Sequence, residues 1–302
     1  MYTVVDQQIS LDVGQRGSRS LYQAARDSDP LTKVASEALS VALEAGSSVL
    51  LTTGFPIGPT AVPETDGPLG AVVLADALAA IGAEPILLAD SRTQPVIRAL
   101  CEELDLEVRL ISAEADSDHS LLADCEPSAV IAVETPGRSA DGSYRNMAGE
   151  EITAQLTPRD SLFKAAVDRG ILTVGIGDGG NEIGMGTIRE TVIDTVDHGE
   201  TIACVTPVDE LVVAGVSNWG AYGVACGLSL MTGRQLLHTA ETERRLLAAA
   251  VEAGAVDGVS GASTESVDGI PAVVHAGVVE ILRHCESQHS DSTTLPCEDS
   301  IS

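Results

Sequence analysis

The amino-acid sequence predicts an α/β protein with an open, mostly parallel sheet and helices on both of its faces. Three observations support this prediction. Apolar runs rich in Val, Ile and Leu alternate with stretches of helical periodicity along most of the chain. The apolar runs are nearly continuous, which is typical of strands covered on both faces. The chain has 302 residues, enough to bury a large core in one domain. Together these features favour a three-layer, Rossmann-like arrangement.

The helices are predicted from apolar side chains that recur with a spacing of about 3.6 residues. Residues 31–45 are the clearest example, because their apolar positions form one stripe and Gly46 follows as a helix stop. By the same criterion, the predicted helices span residues 18–27, 31–45, 69–82, 95–104, 161–170, 187–195, 218–233, 241–253 and 271–285.

The strands are predicted from short apolar runs bounded by turn residues. SVLLTT at residues 48–53 and EPILLAD at residues 84–90 flank a predicted helix and so form a βαβ unit. The same criterion gives strands at residues 107–111, 128–134, 171–177, 202–205 and 211–214. Residues 287–302 are polar and without periodicity, so we expect a disordered acidic tail after a single domain at residues 1–286.

The composition excludes several classes of protein. The formal net charge is −28, so no basic surface is available for nucleic acid. An acidic surface of this kind suits a salt-rich cytoplasm, as in halophilic proteins; binding of a basic partner is the alternative. No apolar run reaches the ~20 residues of a membrane span, and we expect no secretory signal. The six cysteines have no CxxC spacing, which indicates a reducing, cytoplasmic compartment.

Ligands of such sheets bind at the loops that follow the carboxyl ends of the strands. The first candidate loop, TTGFPIGPTAVPETDGPLG at residues 52–70, is long for a βα connection. Free amide groups at the start of the following helix would hold a carboxylate or a phosphate. Alternatively, the aspartate of this loop only caps that helix. The candidate residues are Gly54, Glu64, Thr65, Asp66 and Gly67.

The second loop, VETPGRSADGSYRNMAGEEI at residues 133–152, brings Glu134 to the carboxyl end of a strand. From there its carboxylate can reach a ligand. Arg138 and Arg145 are candidates for holding a substrate carboxylate, because a guanidinium binds a carboxylate through two parallel hydrogen bonds. The alternative is that each arginine pairs with the abundant surface acids.

The third loop, TVGIGDGGNEIGMG at residues 173–186, has the glycines of a phosphate-binding turn but no lysine. Asp178 would repel a pyrophosphate, so we expect no nucleotide cofactor. Asp178, Asn181 and Glu182 instead suit a cationic group, either a substrate ammonium or a Mg²⁺ or Mn²⁺ ion. Gly179 and Gly180 allow the backbone to approach that group. The alternative is a tight turn that caps the next helix.

The fourth loop, GVSNWG at residues 215–220, places Asn218 where it would contact a ligand or cap the following helix. Trp219 suits either the core or a pocket wall. None of the six histidines lies in these four loops, which disfavours a Ser-His-Asp triad or a histidine-metal site.

The motifs TGFP, ETDGPLGA, ETPGRSADGSYRNMAGEEI and GIGDGGNEIGMG resemble those of the D-glutamate cyclase family. They are most similar to the C-terminal domain of its mitochondrial form, which also occurs as a stand-alone prokaryotic protein. The resemblance extends from Asp12 to about Glu286. It implies a lyase that converts D-glutamate to 5-oxo-D-proline and water. We expect no counterpart of the additional N-terminal, hydro-lyase-like domain of the mitochondrial form.

This reaction suggests roles for the four acids of the loops. Asp178 or Glu182 would take a proton from the substrate ammonium, acting as the base. Glu134 or Asp66 would protonate the departing oxygen, provided that burial raises its pKa.

The remaining loop residues would bind the substrate. Amide groups at residues 66–70 would hold the γ-carboxylate, and Arg138 or Arg145 would hold the α-carboxylate. Two alternatives remain: a Mg²⁺- or Mn²⁺-dependent enzyme acting on another small carboxylate or phosphorylated substrate, and a non-catalytic sensor of small molecules. The apolar helices also leave a homodimer as an option, and we expect neither nucleic acid nor membrane as a partner.

Overall fold

The computed structural model of the protein describes residues 1–114 and 118–292. Its strands are β1 (Ser48–Thr53), β2 (Pro56–Ile57), β3 (Val62–Pro63), β4 (Glu84–Ala89), β5 (Arg109–Ser112), β6 (Ala129–Val133), β7 (Leu172–Gly177), β8 (Glu210–Val213), β9 (Ser266–Val267) and β10 (Ile270–Pro271). Six of them form one sheet in the order β5-β4-β1-β6-β7-β8, and every neighbouring pair in it is parallel. The short pairs β2-β3 and β9-β10 are antiparallel hairpins.

The order of the sheet confirms the predicted fold class. Counted among themselves, the six strands lie in the order 3-2-1-4-5-6, which is the doubly wound order of Rossmann folds. The chain order reverses between β1 and β6. Thr53 of β1 is in register with Val133 of β6, and Val133 with Ile176 of β7, so the carboxyl ends of these strands lie side by side. Ligands of such sheets bind in the crevice at this reversal.

The helices are α1 (Tyr2–Ile9), α2 (Ser18–Ala25), α3 (Leu31–Ala42), α4 (Pro68–Ala80), α5 (Gln94–Leu104), α6 (Asp118–Cys125), α7 (Asp160–Asp168), α8 (Arg189–Thr195), α9 (Gly199–Ile202), α10 (Ser217–Thr232), α11 (Ala240–Glu252) and α12 (Ala272–Ser292). Single 3₁₀ turns lie at Thr153–Gln155 and Gly186–Ile188. None of the helices described is both long and apolar enough to cross a bilayer.

Helix α10 is the centre of one helical layer. It packs against α3 and α4 over the sheet, while α7 packs on β7 beside α6. Trp219 and Tyr222 of α10 are fully buried, and the indole Nε1 of Trp219 donates to Nδ1 of His275 at 2.9 Å. Trp219 is therefore a core residue rather than a pocket wall. Helix α4 is apolar on nearly all sides, as expected for a helix enclosed by other elements.

The N-terminal helices are joined by one buried carboxylate. Asp6 of α1 accepts hydrogen bonds from the hydroxyl of Tyr22 at 2.8 Å and from the amides of Leu31 and Thr32 at 2.6 and 3.1 Å. Buried carboxylates are tolerated when such donors replace water. Asp6 thereby fixes α1 and α2 against the start of α3, and with them the loop that leads to residue 16.

Some predicted elements were wrong. Residues 202–205 are not a strand, because Gly199–Ile202 forms α9 and Cys204 pairs with Ser139 only in an isolated bridge. Helices α1 and α6 were not predicted. The expected tail begins too early, since α12 continues to Ser292. Residues 293–302 of that tail lie outside the described residues.

Candidate active site

A cleft of about 270 Å³ lies at the carboxyl ends of β1, β6 and β7, where the chain order reverses. Acidic residues and one arginine form its polar part, and the loops after β1 and β6 form an apolar wall. Larger grooves run along α3 and α5, but no buried carboxylates line them. The cleft is lined by Arg16, Phe55, Pro56, Ile57, Gly58, Glu64, Glu134, Asn146, Met147, Ala148, Asp178, Asn181, Glu182, Gly258, Val259 and Asp268.

Three carboxylates from different loops meet at this cleft. One oxygen from each of Asp66, Glu134 and Asp178 lies within 4.8 Å of the other two, and all three residues are buried. Burial, reinforced by Asp268, raises the pKa of Asp66 to about 7. Burial and the neighbouring acids likewise raise the pKa of Glu134 well above its ordinary value. Such a group holds protons or binds a cation at neutral pH.

Arg16 is the cation that faces these acids. Its Nη2 lies 2.6 Å from Oδ2 of Asp178 and 2.7 Å from Oδ2 of Asp268, and it also donates to the carbonyl of Gly215 at 3.0 Å. Burial raises the pKa of Asp178 by more than the charge of Arg16 lowers it, so this pKa lies well above its ordinary value. Arg16 comes from the loop between α1 and α2, and Asp268 from the turn between β9 and β10.

Asp66 and Asn218 cap each other's helices. Asp66 accepts hydrogen bonds from the amides of Ser217 and Asn218, at 2.9 and 2.8 Å, at the start of α10. Asn218 in turn accepts from the amides of Gly67 and Gly70, at 2.9 and 2.7 Å, at the start of α4. The predicted caps were therefore assigned to the wrong helices. Two of the amides that were expected to bind a substrate carboxylate, those of Gly67 and Gly70, already have a protein acceptor.

Glu134 is held in place from two sides. It follows β6 with a φ of +44°, and its Oε2 accepts the hydroxyl hydrogen of Ser217 at 2.5 Å. Gly67 packs beneath it with a φ of +92°. A Cβ at residue 67 would lie only 2.7 Å from both Cβ of Glu134 and Oγ1 of Thr53, so only glycine fits there.

The glycine loop binds its own glutamate. Oε1 of Glu182 accepts the amide hydrogens of Asp178 and Gly179 at 3.0 and 2.6 Å, and Oε2 accepts that of Gly180 at 2.6 Å. Converging amides of this kind form an anion site, and Glu182 occupies it. This arrangement explains a phosphate-type loop that contains acids and no lysine. It also favours Asp178 over Glu182 as the base, because both oxygens of Glu182 are engaged.

The predicted metal ligands do not converge. The amide nitrogen of Asn181 donates to the carbonyl of Arg145 at 2.8 Å. Both carboxylate oxygens of Glu182 accept hydrogen bonds from the backbone amides of their own loop. Among the described residues, the acids that could share one ion are Asp66, Glu134 and Asp178. Three carboxylates are a donor set that suits Mg²⁺ or Mn²⁺.

A sequence model of the D-glutamate cyclase-like, C-terminal family matches residues 5–283. The chain belongs to this family. It is also 33% identical over 308 aligned residues to the protein named D-glutamate cyclase, mitochondrial, of Homo sapiens. That alignment covers 88% of this chain and 48% of the human protein, so the chain spans about half the length of the curated relative that it matches.

Two arginines predicted to bind substrate lie away from the cleft of this cyclase-like chain. Arg145 pairs with Asp141 at 2.8 Å and donates to the carbonyl of Gly149, so it stabilises its own loop. Arg138 is exposed and does not line the cleft. For Arg145 the alternative of pairing with a surface acid is therefore correct. The arginine that lines the cleft is Arg16, which sequence reasoning did not single out.

Other predicted binding residues support the site from outside. The hydroxyl of Thr65 donates to the carbonyl of Ser266 at 2.8 Å, which ties the β3–α4 loop to β9. Gly54 lies against Thr93 and lines a separate small pocket. Gly179 packs against Met147, and Gly180 against Val192. These residues shape the loops of this family member without facing its cleft.

Glu64 does face the cleft, as predicted. It is buried, and its Oε1 has no hydrogen-bond partner among the described residues. Burial, followed by the charges of Asp268 and Asp66, raises the pKa of Glu64 well above its ordinary value. A buried polar atom without a partner is costly, so this oxygen is available to a ligand or a proton.

Proposed function

We propose that this chain cyclises D-glutamate to 5-oxo-D-proline with release of water. The observation that carries the proposal is the buried meeting of Asp66, Glu134 and Asp178 beside Arg16, at the reversal point of a doubly wound sheet. Membership of the D-glutamate cyclase-like family supports the same reaction. The acids suit the ammonium of an amino acid, and the apolar wall suits its short aliphatic chain.

The reaction forms one C–N bond and breaks one C–O bond. The ammonium nitrogen loses one proton, attacks the γ-carboxyl carbon as a neutral amine and then loses a second proton; one carboxyl oxygen leaves with these two protons as water. Ring closure to five atoms is intramolecular, so holding glutamate in a folded shape lowers much of the barrier. The protein must also take a proton from the ammonium and neutralise the departing oxygen.

Asp178 is our candidate for the base. Arg16 stabilises its ionised form at 2.6 Å, whereas the neighbouring acids favour its protonated form. The carboxylate can thus accept a proton from an ammonium that binds next to it. Residues whose ionisation is balanced in this way are suited to proton transfer near neutral pH.

Glu134 is our candidate for the acid. Burial and the nearby charges of Glu182 and Asp178 favour its protonated form, and Ser217 fixes its orientation. A neutral carboxyl can donate a hydrogen bond to the tetrahedral oxyanion and then its proton to the leaving oxygen. Glu64, which is also buried and has a free oxygen, would contact the ammonium. Asp66 is a positioning residue, because backbone amides occupy both of its oxygens.

The decisive experiment is a chiral product assay. The protein is incubated at molar KCl with D- or L-glutamate, with and without Mn²⁺, and 5-oxoproline is resolved on a chiral column. We expect product from D-glutamate, and a fall of about 10²- to 10⁴-fold in kcat for Asp178→Asn and Glu134→Gln. Glu190→Gln is the matched control, since that side chain is 88% exposed. Absence of product from the folded protein would refute the proposal.

A metal-dependent enzyme is the second candidate function. It is favoured by the convergence of Asp66, Glu134 and Asp178, whose oxygens are close enough to bind one ion. In this case Mn²⁺ alone would raise the Tm of the protein, and Asp178→Ala would abolish that increase. A Tm that does not respond to Mn²⁺ or Mg²⁺ would exclude a resident ion at this position.

A further inference from the structure

Arg16 is held at the cleft by its own loop. Its amide donates to Oδ1 of Asp12 at 2.8 Å, and the amide of Gly17 donates to Oδ2 of the same residue at 3.0 Å. Among the described residues that line the cleft, Arg16 is the only lysine, arginine or histidine. Its side chain remains 21% exposed, so a molecule in the cleft can touch it.

The guanidinium of Arg16 is only partly used by the protein. Nη2 makes all of its hydrogen bonds, to Asp178, Asp268 and the carbonyl of Gly215. Within the described part of the chain, Nη1 and Nε have no hydrogen-bond partner, although a guanidinium offers five N–H donors. Burial disfavours its charge, but the two aspartates outweigh this and raise the pKa of Arg16 above its ordinary value. The guanidinium of Arg16 is therefore always charged, and its N–H donors at Nη1 and Nε are available to a ligand.

The other titratable side chains that line the cleft are acids and offer no positive charge to a ligand. Glu64, Glu134, Asp178 and Asp268 line it, and together they suit an ammonium. An ionised ligand carboxylate in this cleft is therefore most stable against Arg16, whereas a reacting carboxyl can accept a hydrogen bond from neutral Glu134. An α-amino acid carries an ammonium and a carboxylate on one carbon, so the acids and Arg16 can bind both groups at once.

We infer that Arg16 is the specificity residue of the cleft and binds the α-carboxylate of the substrate, so that only α-amino acids are placed correctly. This inference rests on the proposed function, in which an amino acid is cyclised at the cleft. It assigns to the loop between α1 and α2 the role that sequence reasoning gave to the loop after β6. The remaining donors Nη1 and Nε are the ones available to the carboxylate.

The test compares two substrates that differ only in the α-carboxylate. 4-Aminobutanoate has the same amine and reacting carboxylate as glutamate, and its cyclisation gives 2-pyrrolidinone and water. We expect the wild-type protein to prefer D-glutamate in kcat/KM. In Arg16→Gln this preference should fall by about 10- to 100-fold, the loss that corresponds to one charge-assisted pair. Arg16→Lys should recover part of it, because the charge is kept.

The ratio of kcat/KM for D-glutamate to kcat/KM for 4-aminobutanoate distinguishes a role of Arg16 in specificity from a structural role. Loss of support for Asp178 would slow both substrates equally and leave the ratio unchanged, and that result would overturn the inference while the proposed function stood. Arg244→Gln is the matched control, since that side chain is 45% exposed, lies outside the cleft and pairs with the exposed Glu241. It should keep the wild-type ratio.

Binding measurements keep the inference independent of turnover. Calorimetry with D-glutamate and 4-aminobutanoate should show tighter binding of D-glutamate to the wild type, and a reduced difference in Arg16→Lys. If no product formed but this pattern held, the proposed function would fail and the role of Arg16 would be supported. If Arg16→Gln failed to fold, the Arg16→Lys ratios would decide. Equal binding of the two compounds to the wild type would overturn the inference.

Discussion

At the scale of single residues, the acids of the site differ in what they contact. Backbone amides occupy both oxygens of Asp66 and of Glu182, so these two residues order loops. Glu182 also lines the cleft, but Glu64, Glu134 and Asp178 line it without having both carboxylate oxygens bound by backbone amides. Because all five are short acidic side chains in polar loops, only their hydrogen-bond partners separate the positioning residues from the candidate catalytic ones.

Glu182→Gln should destabilise the protein even though the side chain keeps its size. A glutamine has one carbonyl oxygen for three amide hydrogens, and its NH₂ group would face an amide donor. We expect a loss of about 1–3 kcal/mol in the free energy of unfolding, measured by urea denaturation. Glu190→Gln, at an exposed position of α8, should change it little. Equal stabilities of the two variants would contradict the role of Glu182.

Sequence reasoning found the acids of the site but missed its arginine. Glu64, Asp66, Glu134 and Asp178 follow or approach the carboxyl ends of strands, where ligands of α/β sheets bind. Arg16 precedes the first strand and pairs with Asp178, 162 positions later. Asp268 lies in a hairpin after the last sheet strand. No local pattern marks either residue, because their contacts depend on how the termini fold over the sheet.

At the scale of elements, the reciprocal caps of Asp66 and Asn218 join α4 to α10. Each residue satisfies amides at the start of the other's helix, so the two helix termini are fixed relative to each other. These termini also carry Gly67 and Ser217, which contact Glu134. The geometry of the acid group therefore depends on a helix-to-helix connection.

Asn218→Ala should cost more stability than the loss of an ordinary cap. It removes the acceptor of the buried Gly70 amide, one of the two acceptors of the Gly67 amide and the donor to the carbonyl of Thr65, so we expect a loss of about 2–4 kcal/mol. Thr239→Ala is the matched control, because it removes one exposed cap, the bond from Thr242 to Thr239 at 3.1 Å, and should cost about 1 kcal/mol. Urea denaturation measures both losses. A smaller loss for Asn218→Ala than for Thr239→Ala would contradict this role.

Most elements of the sheet and its covering helices were predictable from periodicity, and the exceptions are short. The run IACV at residues 202–205 is apolar, but four residues do not distinguish a strand from the end of a helix. Helix α6 has eight residues and α9 only four, so neither presents a long apolar stripe. The caps were misassigned because a sequence shows which residues can cap, but not which helix lies opposite.

At the scale of the whole molecule, the net charge of −28 predicts a dependence on salt. Self-repulsion of the acidic surface disfavours the compact state, and salt at about 1 M shortens the screening distance to ~3 Å. We expect the Tm to rise by several degrees from dilute to molar KCl. A Tm that is independent of KCl would contradict this.

The buried acids predict a pH dependence in the same molecule. The pKa values of Glu64, Asp66, Glu134 and Asp178 are raised on folding, so the folded state binds more protons than the unfolded state between about pH 4 and the pKa of about 7 of Asp66. The free energy of unfolding should therefore be greatest at acidic pH and fall as pH rises through this window.

Urea denaturation at molar KCl measures this slope with surface repulsion screened. Glu134→Gln removes one of the titrating groups and should flatten the decrease, whereas Glu190→Gln should not. Stability that increases with pH through the window, or equal slopes in the two variants, would contradict the raised pKa values.

The anion that occupies the glycine loop is the carboxylate of Glu182, which belongs to the same chain. A phosphate binds such a loop from solution and can dissociate, whereas the carboxylate of Glu182 is bound whenever the protein is folded. Glu182→Ala would remove this carboxylate and leave three converging amides free to bind a small anion. Formate should then raise the Tm of Glu182→Ala but not that of the wild type at equal ionic strength. The side chain of Glu182 is therefore the difference between a loop that binds its own carboxylate and a loop that binds an anion from solution.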